Sequence, residues 1–128
     1  RTPQGKFKFL GVLYRKDRVG IIRSSLKTYA INKKLGWCDD SKSKNYNKLI
    51  KYPFKYKAEK LYLRKKIYDI ILIINYNIRP TIKKKGSAIF LHIATKKYSP
   101  TRGCVAVSKK DMRKLLKFIN KKTIIEIF

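Results

Sequence analysis

YDIILIINYN, residues 68–77, decides the fold. Its centre, Ile70-Ile71-Leu72-Ile73-Ile74, is continuously apolar and mostly β-branched. Such a run fits a central strand with both faces covered. Downstream, AIFLHIA (88–94) carries a period of two. Ala88, Phe90, His92 and Ala94 fall on one face of a second strand, and Ile89, Leu91 and Ile93 on the other. IRPTIKKKGS (78–87) connects the two strands, KKYSPTRG (96–103) is a loop, and CVAV (104–107) is short and extended. Ser108 then reads as an N-cap with Asp111 three positions on, a variant of the capping box. Met112, Leu115, Leu116 and Ile119 fall at i, i+3, i+4 and i+7, which predicts one amphipathic helix over about 109–121. Lys109 and Lys110 oppose its dipole at a small cost. TIIEIF (123–128) closes the chain as a strand.

Working upstream, RTPQGKFKFLGVLYR (1–15) has turn chemistry at Pro3 and Gly5. Alternation follows, with Phe7, Phe9 and Gly11 on one face of a strand. NKKLGWCDDSKSKNYNK (32–48) is rich in Asn, Asp, Ser and Gly and reads as a long loop. Loops beyond about 12–15 residues in a compact domain are usually functional or mobile. Residues 56–66 read either as a short helix or as an irregular basic segment. The predicted class is mainly β, of sandwich or barrel type, with one clear helix and room for a second short one.

The chain has 128 residues, the size of one domain with a real core, and is 44% hydrophobic, which excludes a disordered tail. No apolar run approaches the roughly 20 residues of a spanning helix. The first residue is Arg1, so the lack of a leader says little about compartment. The net charge is +27. Lys outnumbers Arg 26 to 8, and Ile, Tyr and Asn are also abundant. All of these are specified by A/T-rich codons, so drift in an A/T-rich genome accounts for part of the charge. A nucleic-acid module more often concentrates Arg, which forks to phosphate and guanine. Whatever its origin, such a field draws anionic polymers at low salt. The two cysteines allow one disulfide, Cys38–Cys104, which the sequence leaves open. One His and no Cys cluster argue against zinc.

His92 and Cys104 raise the question of chemistry. A cysteine attacks as thiolate and needs a base or a positive environment to ionise near neutral pH. Histidine suits that role. Backbone N–H groups around a Gly can form a nest for a developing oxyanion. Arg102-Gly103-Cys104 carries these parts, and the loop after His92 is long enough to return Cys104 beside it. The plain alternative is a small buried Cys and a structural His. Spacing alone does not choose between them.

The segment GSAIFLHIATKKYSPTRGCVAVS (86–108) resembles the signature of the L,D-transpeptidase catalytic domain, the YkuD-like family. That signature runs from a His, through a variable loop, to Ser/Thr-His-Gly-Cys. RTPQGKFKFLGVLYR (1–15), GWCDDSKSKNYN (36–47) and YDIILIINYN (68–77) are similar to a proteobacterial-type branch of the same family. The resemblance covers nearly the whole chain in order and implies a single catalytic domain over 1–128. It starts inside the family pattern, at Thr2-Pro3-x-Gly5, which leaves open whether upstream strands are missing.

The resemblance implies a mostly β fold and an enzyme acting on peptidoglycan stem peptides in the periplasm or cell envelope. Cys104 is the implied nucleophile and His92 the general base. The N–H groups of Arg102, Gly103 and Cys104 form the implied oxyanion hole, and Thr101 shapes the loop. No metal or organic cofactor is implied, and a carbapenem-type β-lactam would acylate the thiol. A monomer without specific nucleic-acid binding is expected. Arg102 replaces the His common before Gly-Cys, and Ala106 stands where many members have Arg or Asn. Trp37, Asp40 and Tyr46 are candidates to line a substrate groove, against the reading of a loop pinned by a buried Trp and Asx-turns. Cys38 reads as structural. The competing function is a basic, non-enzymatic module binding nucleic acid or anionic wall polymer, although no recognisable nucleic-acid motif is present.

Overall fold

The computed structural model describes residues 2–78, 80–94 and 105–128. Its centre is a six-stranded sheet built on β1 (Gly5–Tyr14), a strand long enough to serve several partners. Phe9–Tyr14 pairs antiparallel with β6 (Ile70–Ile74), and Val12–Tyr14 pairs parallel with β2 (Thr28–Ala30). The first half, Gly5–Lys8, pairs antiparallel with β9 (Ile124–Ile127). A register shift between Phe9 and Gly11 separates the two halves. On the far side of β6 lies β7 (Phe90–Ile93), antiparallel, followed by β8 (Val105–Val107), parallel to β7. The sheet is therefore mixed.

All five residues of β6 are buried, because both faces of the sheet are covered. Ile70, Leu72 and Ile74 join Ile89, Leu91 and Ile93 of the next strand in one cluster, under Met112, Leu116 and Ile119. The other face gathers Leu13, Ile71, Ile73 and Phe90 with Trp37, Leu61 and Tyr68. A second sheet, in the order β4 (Leu49–Lys51), β3 (Leu35–Cys38) and β5 (Ala58–Lys60), lies on this side and contributes Trp37 to the cluster, with Leu35 and Leu49 packed against it. The predicted alternation of residues 88–94 is thus the division between two cores.

The helix α2 spans Lys109–Phe118. Ser108 Oγ accepts from the Asp111 N–H at 3.1 Å, as the capping pattern predicts. The helix ends earlier than expected, since Ile119 is extended. The reason is Asn120, whose Oδ1 accepts from the Lys122 N–H at 2.8 Å while Thr123 Oγ1 accepts from the Asn120 N–H at 2.9 Å. That local turn competes with helix continuation and sends the chain into β9. Ile119 remains buried despite leaving the helix.

Three expectations need correction. The stretch 32–48 is not all loop: Leu35–Cys38 is β3, paired with β4 (Leu49–Lys51) and β5 (Ala58–Lys60). Residues 56–66 hold β5, and a 3-10 turn (Lys66–Tyr68) begins only at their end; Glu59 pairs opposite Trp37, a long-range choice that overrides a polar local sequence. The second short helix is α1, Lys16–Val19. The strand expected from Ala88 starts at Phe90, because Ala88 has φ 55 and donates its N–H to Asn47 Oδ1 at 3.1 Å.

Few acids offset the charge, and several are used structurally. Arg15 is buried and forks onto both oxygens of Asp17 at 2.9 and 2.7 Å. It also donates to Leu63 O at 2.7 Å and lies 3.6 Å over the Tyr62 ring. Arg18 reaches the buried Asp69 at 2.9 Å. Together these pin α1 to residues 62–69. Gly36 in β3 lets the Tyr52 ring lie close: a Cβ there would come within 2.7 Å of the ring and displace it.

Candidate active site

His92 sits in the middle of β7 and is 2% exposed. The strand's period of two turns it, with Phe90, toward the face that carries the small sheet. His92 Nδ1 lies 3.1 Å from the carbonyl of Ile93. A carbonyl only accepts, so this contact assigns the proton to Nδ1 and leaves Nε2 as the basic nitrogen. The Tyr68 ring stands nearly perpendicular to the imidazole, at 79° and 5.7 Å between centroids. Tyr68 also meets Phe90 edge-on at 6.0 Å, and Phe90 meets Trp37 at 5.2 Å. A run of rings therefore extends from the small sheet to the imidazole.

Behind Tyr68 stands Glu59 of β5, which accepts a short hydrogen bond from the Tyr68 hydroxyl. Burial raises the Glu59 carboxyl above the ordinary range; the Tyr68 bond works against that, and Asp39 adds to the rise. The sequence pattern assigned no role to Glu59 or to the Tyr68 side chain. The available signal was scarcity: Glu59 is one of only 7 acids and sits among lysines in KYKAEKLYLRKK.

On the other edge, β7 and β8 run parallel with Leu91 opposite Val105, His92 opposite Ala106 and Ile93 opposite Val107. Thr101, Arg102, Gly103 and Cys104 lie outside the described residues. Cys104 is covalently joined to Val105, the partner of Leu91.

Trp37, Asp40 and Tyr46 each have defined partners. Trp37 is buried and donates its indole N–H to Asn47 Oδ1 at 2.9 Å. Asp40 accepts from the backbone N–H groups of Lys42 at 3.0 Å and Lys57 at 3.1 Å. Those bonds, Lys42 first, hold its carboxyl below the ordinary range. The buried Tyr46 accepts at its hydroxyl from the Gly86 N–H at 3.2 Å. Asn47, fully buried with φ 60, joins these pieces. Its Oδ1 takes Trp37 and Ala88, and its Nδ2 donates to Tyr76 O at 3.1 Å and Asn77 O at 2.7 Å. All four hydrogen-bonding capacities of this amide are used. Of the three predicted groove residues, Trp37 reaches a cleft of about 380 Å³, floored by Leu49 and Ile73 and flanked by Lys27 and Lys48.

Cys38 is a buried free thiol whose Sγ points to Asp40 O at 3.9 Å, so the Cys38–Cys104 disulfide is not formed. Among the described residues no group of three His, Cys, Asp or Glu side chains could hold a metal ion, and no helix is long and apolar enough to cross a membrane.

No curated protein and no solved structure shows a significant match to this chain. A model of the L,D-transpeptidase catalytic domain (YkuD) matches residues 1–127 of the 128. A mixed, mainly β fold agrees with that match, and the chain belongs to the YkuD family of L,D-transpeptidase catalytic domains.

Proposed function

We propose that this domain is a peptidoglycan L,D-transpeptidase of the periplasm or cell envelope, with Cys104 as nucleophile and His92 as general base. His92 Nε2 takes the thiol proton as sulfur attacks the carbonyl of the third stem residue, diaminopimelate. The oxyanion is held by the N–H groups of Arg102, Gly103 and Cys104, with Thr101 supporting the loop. The C–N bond to D-Ala breaks, the imidazolium returns its proton to the leaving amine, and a thioester remains. An amine of a second stem then attacks the thioester carbonyl, and the sulfur leaves as thiol. No metal or organic cofactor takes part in these steps.

One observation carries the reading. The parallel register of β7 and β8 sets Val105 against Leu91 and Ala106 against His92. Neighbouring strands are about 4.8 Å apart, and consecutive Cα atoms 3.8 Å. In the sequence Cys104 directly precedes Val105, the partner of Leu91, and this supports the reading. Family membership and the Nδ1 contact to Ile93 O support the same assignment. The cleft that Trp37 reaches is lined also by Lys27 and Lys48 but by no described residue of β7 or β8, so it supports a surface for the anionic part of a stem peptide away from the reacting carbonyl. On this view Trp37 is the groove residue, while Asp40 and Tyr46 shape the loop that bears it.

The test is intact-mass analysis after exposure to a carbapenem. A single adduct is expected, mapped to Cys104 and absent from Cys104→Ser. His92→Ala should form it at least about 100-fold more slowly. No adduct under conditions that label an active family member would contradict the proposal.

A further inference from the structure

We infer that Glu59 and Tyr68 form a positioning pair for His92, so that the small sheet sets the base strength available to Cys104. The inference rests on the function proposed above, and the residues were assigned no role by the sequence.

The geometry supports it from two sides. Within its own strand His92 Nδ1 meets the neighbouring Ile93 carbonyl at 3.1 Å. Tyr68 supplies a wall across that ring at 79°. Tyr68 itself ends the 3-10 turn Lys66–Tyr68, and a short turn alone is a weak anchor. Its hydroxyl is tied to Glu59, and Glu59 is fixed in β5 opposite Trp37. Trp37 in turn packs on Phe90, two residues before His92 in β7. The path from β7 through Trp37, Glu59 and Tyr68 thus returns to β7. A closed circuit of this kind locks a side chain more firmly than a single contact.

Glu59 is half-buried, and burying a carboxylate has a desolvation cost. Burial is the largest influence on the Glu59 carboxyl, ahead of the stabilising Tyr68 bond. The other titratable groups whose fields reach it are Asp39 and Tyr52, both from the small-sheet side. Glu59 is one of only 7 acids in a chain of +27, and the hydroxyl bonded to it belongs to the tyrosine that faces the sole histidine. Glu59 and Tyr68 touch no reacting atom in this scheme. They act through the imidazole.

The test is the rate of iodoacetamide alkylation at Cys104, read by peptide mass mapping from about pH 5 to pH 9, the range over which histidine-assisted thiols titrate. Tyr68→Phe retains the ring and removes the anchor; Glu59→Leu removes the acceptor; Glu59→Gln keeps an oxygen that can accept. Thermal unfolding of each variant checks the fold. Tyr68→Phe and Glu59→Leu are expected to slow alkylation about tenfold near neutral pH and to move the profile toward higher pH. Glu59→Gln is expected to restore most of the loss. A Tyr68→Phe profile that superimposes on the parent, while His92→Ala lowers the rate, overturns this inference and leaves the proposed function standing. A Glu59→Gln variant as slow as Glu59→Leu also overturns it, because charge rather than the hydrogen bond would then be acting. An unchanged rate in His92→Ala removes the proposed function itself, and the inference with it.

Discussion

The two faces of the central sheet differ in kind. The face under α2 is almost wholly aliphatic: Ile70, Leu72, Ile74, Ile89, Leu91 and Ile93 meet Met112 and Leu116. The face under the small sheet holds aromatic rings and buried polar groups, among them Asn47 and His92. The same strands supply both, one residue out of phase. Aliphatic packing tolerates changes in detail and yields stability through area buried. Buried polar groups are costly unless their partners are placed well, and in exchange they fix orientation. Under the proposed function, the division gives stability to one face and chemistry to the other.

The widest separation between the faces comes from His92→Ala. It should lower acylation of Cys104 by about two orders of magnitude or more while the protein stays folded, as read by adduct formation beside circular dichroism. Leu72→Ala probes the opposite face. It should cost roughly 3 kcal/mol in urea unfolding, in the range for buried leucines, yet leave adduct formation near the parent rate wherever the variant is folded. If Leu72→Ala abolished acylation in the folded protein, the division would fail. Asn47→Ala sharpens the comparison. It should cost about 2 kcal/mol, since it leaves Trp37 Nε1 and the Ala88 N–H without their acceptor. Unlike Leu72→Ala, it should also disturb acylation, because Trp37 packs on the strand that carries His92.

The smallest effect is a pH slope. Glu59 is held above the ordinary glutamate range by burial. The unfolded chain therefore loses this proton first, so stability falls as pH rises from the ordinary value through the raised one, and stays lower beyond it. Glu59→Gln should flatten that segment of the melting-temperature curve. Asp17, held down by Arg15, and Asp40, held down by backbone N–H groups, act in a lower window with the opposite sign. Their contribution is lost as pH falls. A slope unchanged in Glu59→Gln would show that the carboxyl is not carrying it.

What could be read beforehand follows the same division. The aliphatic face was legible because it repeats: β6 is a continuous apolar run, β7 alternates, and α2 carries a stripe and a cap. The mainly β class followed from these. The small sheet was not legible. Its strands are three or four residues long, too short to show a period, and their pairing is set by distant partners such as Trp37 with Glu59. Helix α2 was overrun because Asn120 stops it by a side-chain bond that periodicity does not register. Within the site, His92 stood out as the sole histidine. The Tyr68–Glu59 contact joins elements that no local pattern connects.

The most direct test of the account is a rapid acid quench with a defined tetrapeptide stem, followed by peptide mapping and assay of free D-Ala. The account predicts a tripeptide thioester on Cys104 formed in step with D-Ala release, and neither product from His92→Ala. Release of D-Ala at the parent rate by Cys104→Ala, or an acyl group carried on any other residue, would contradict it.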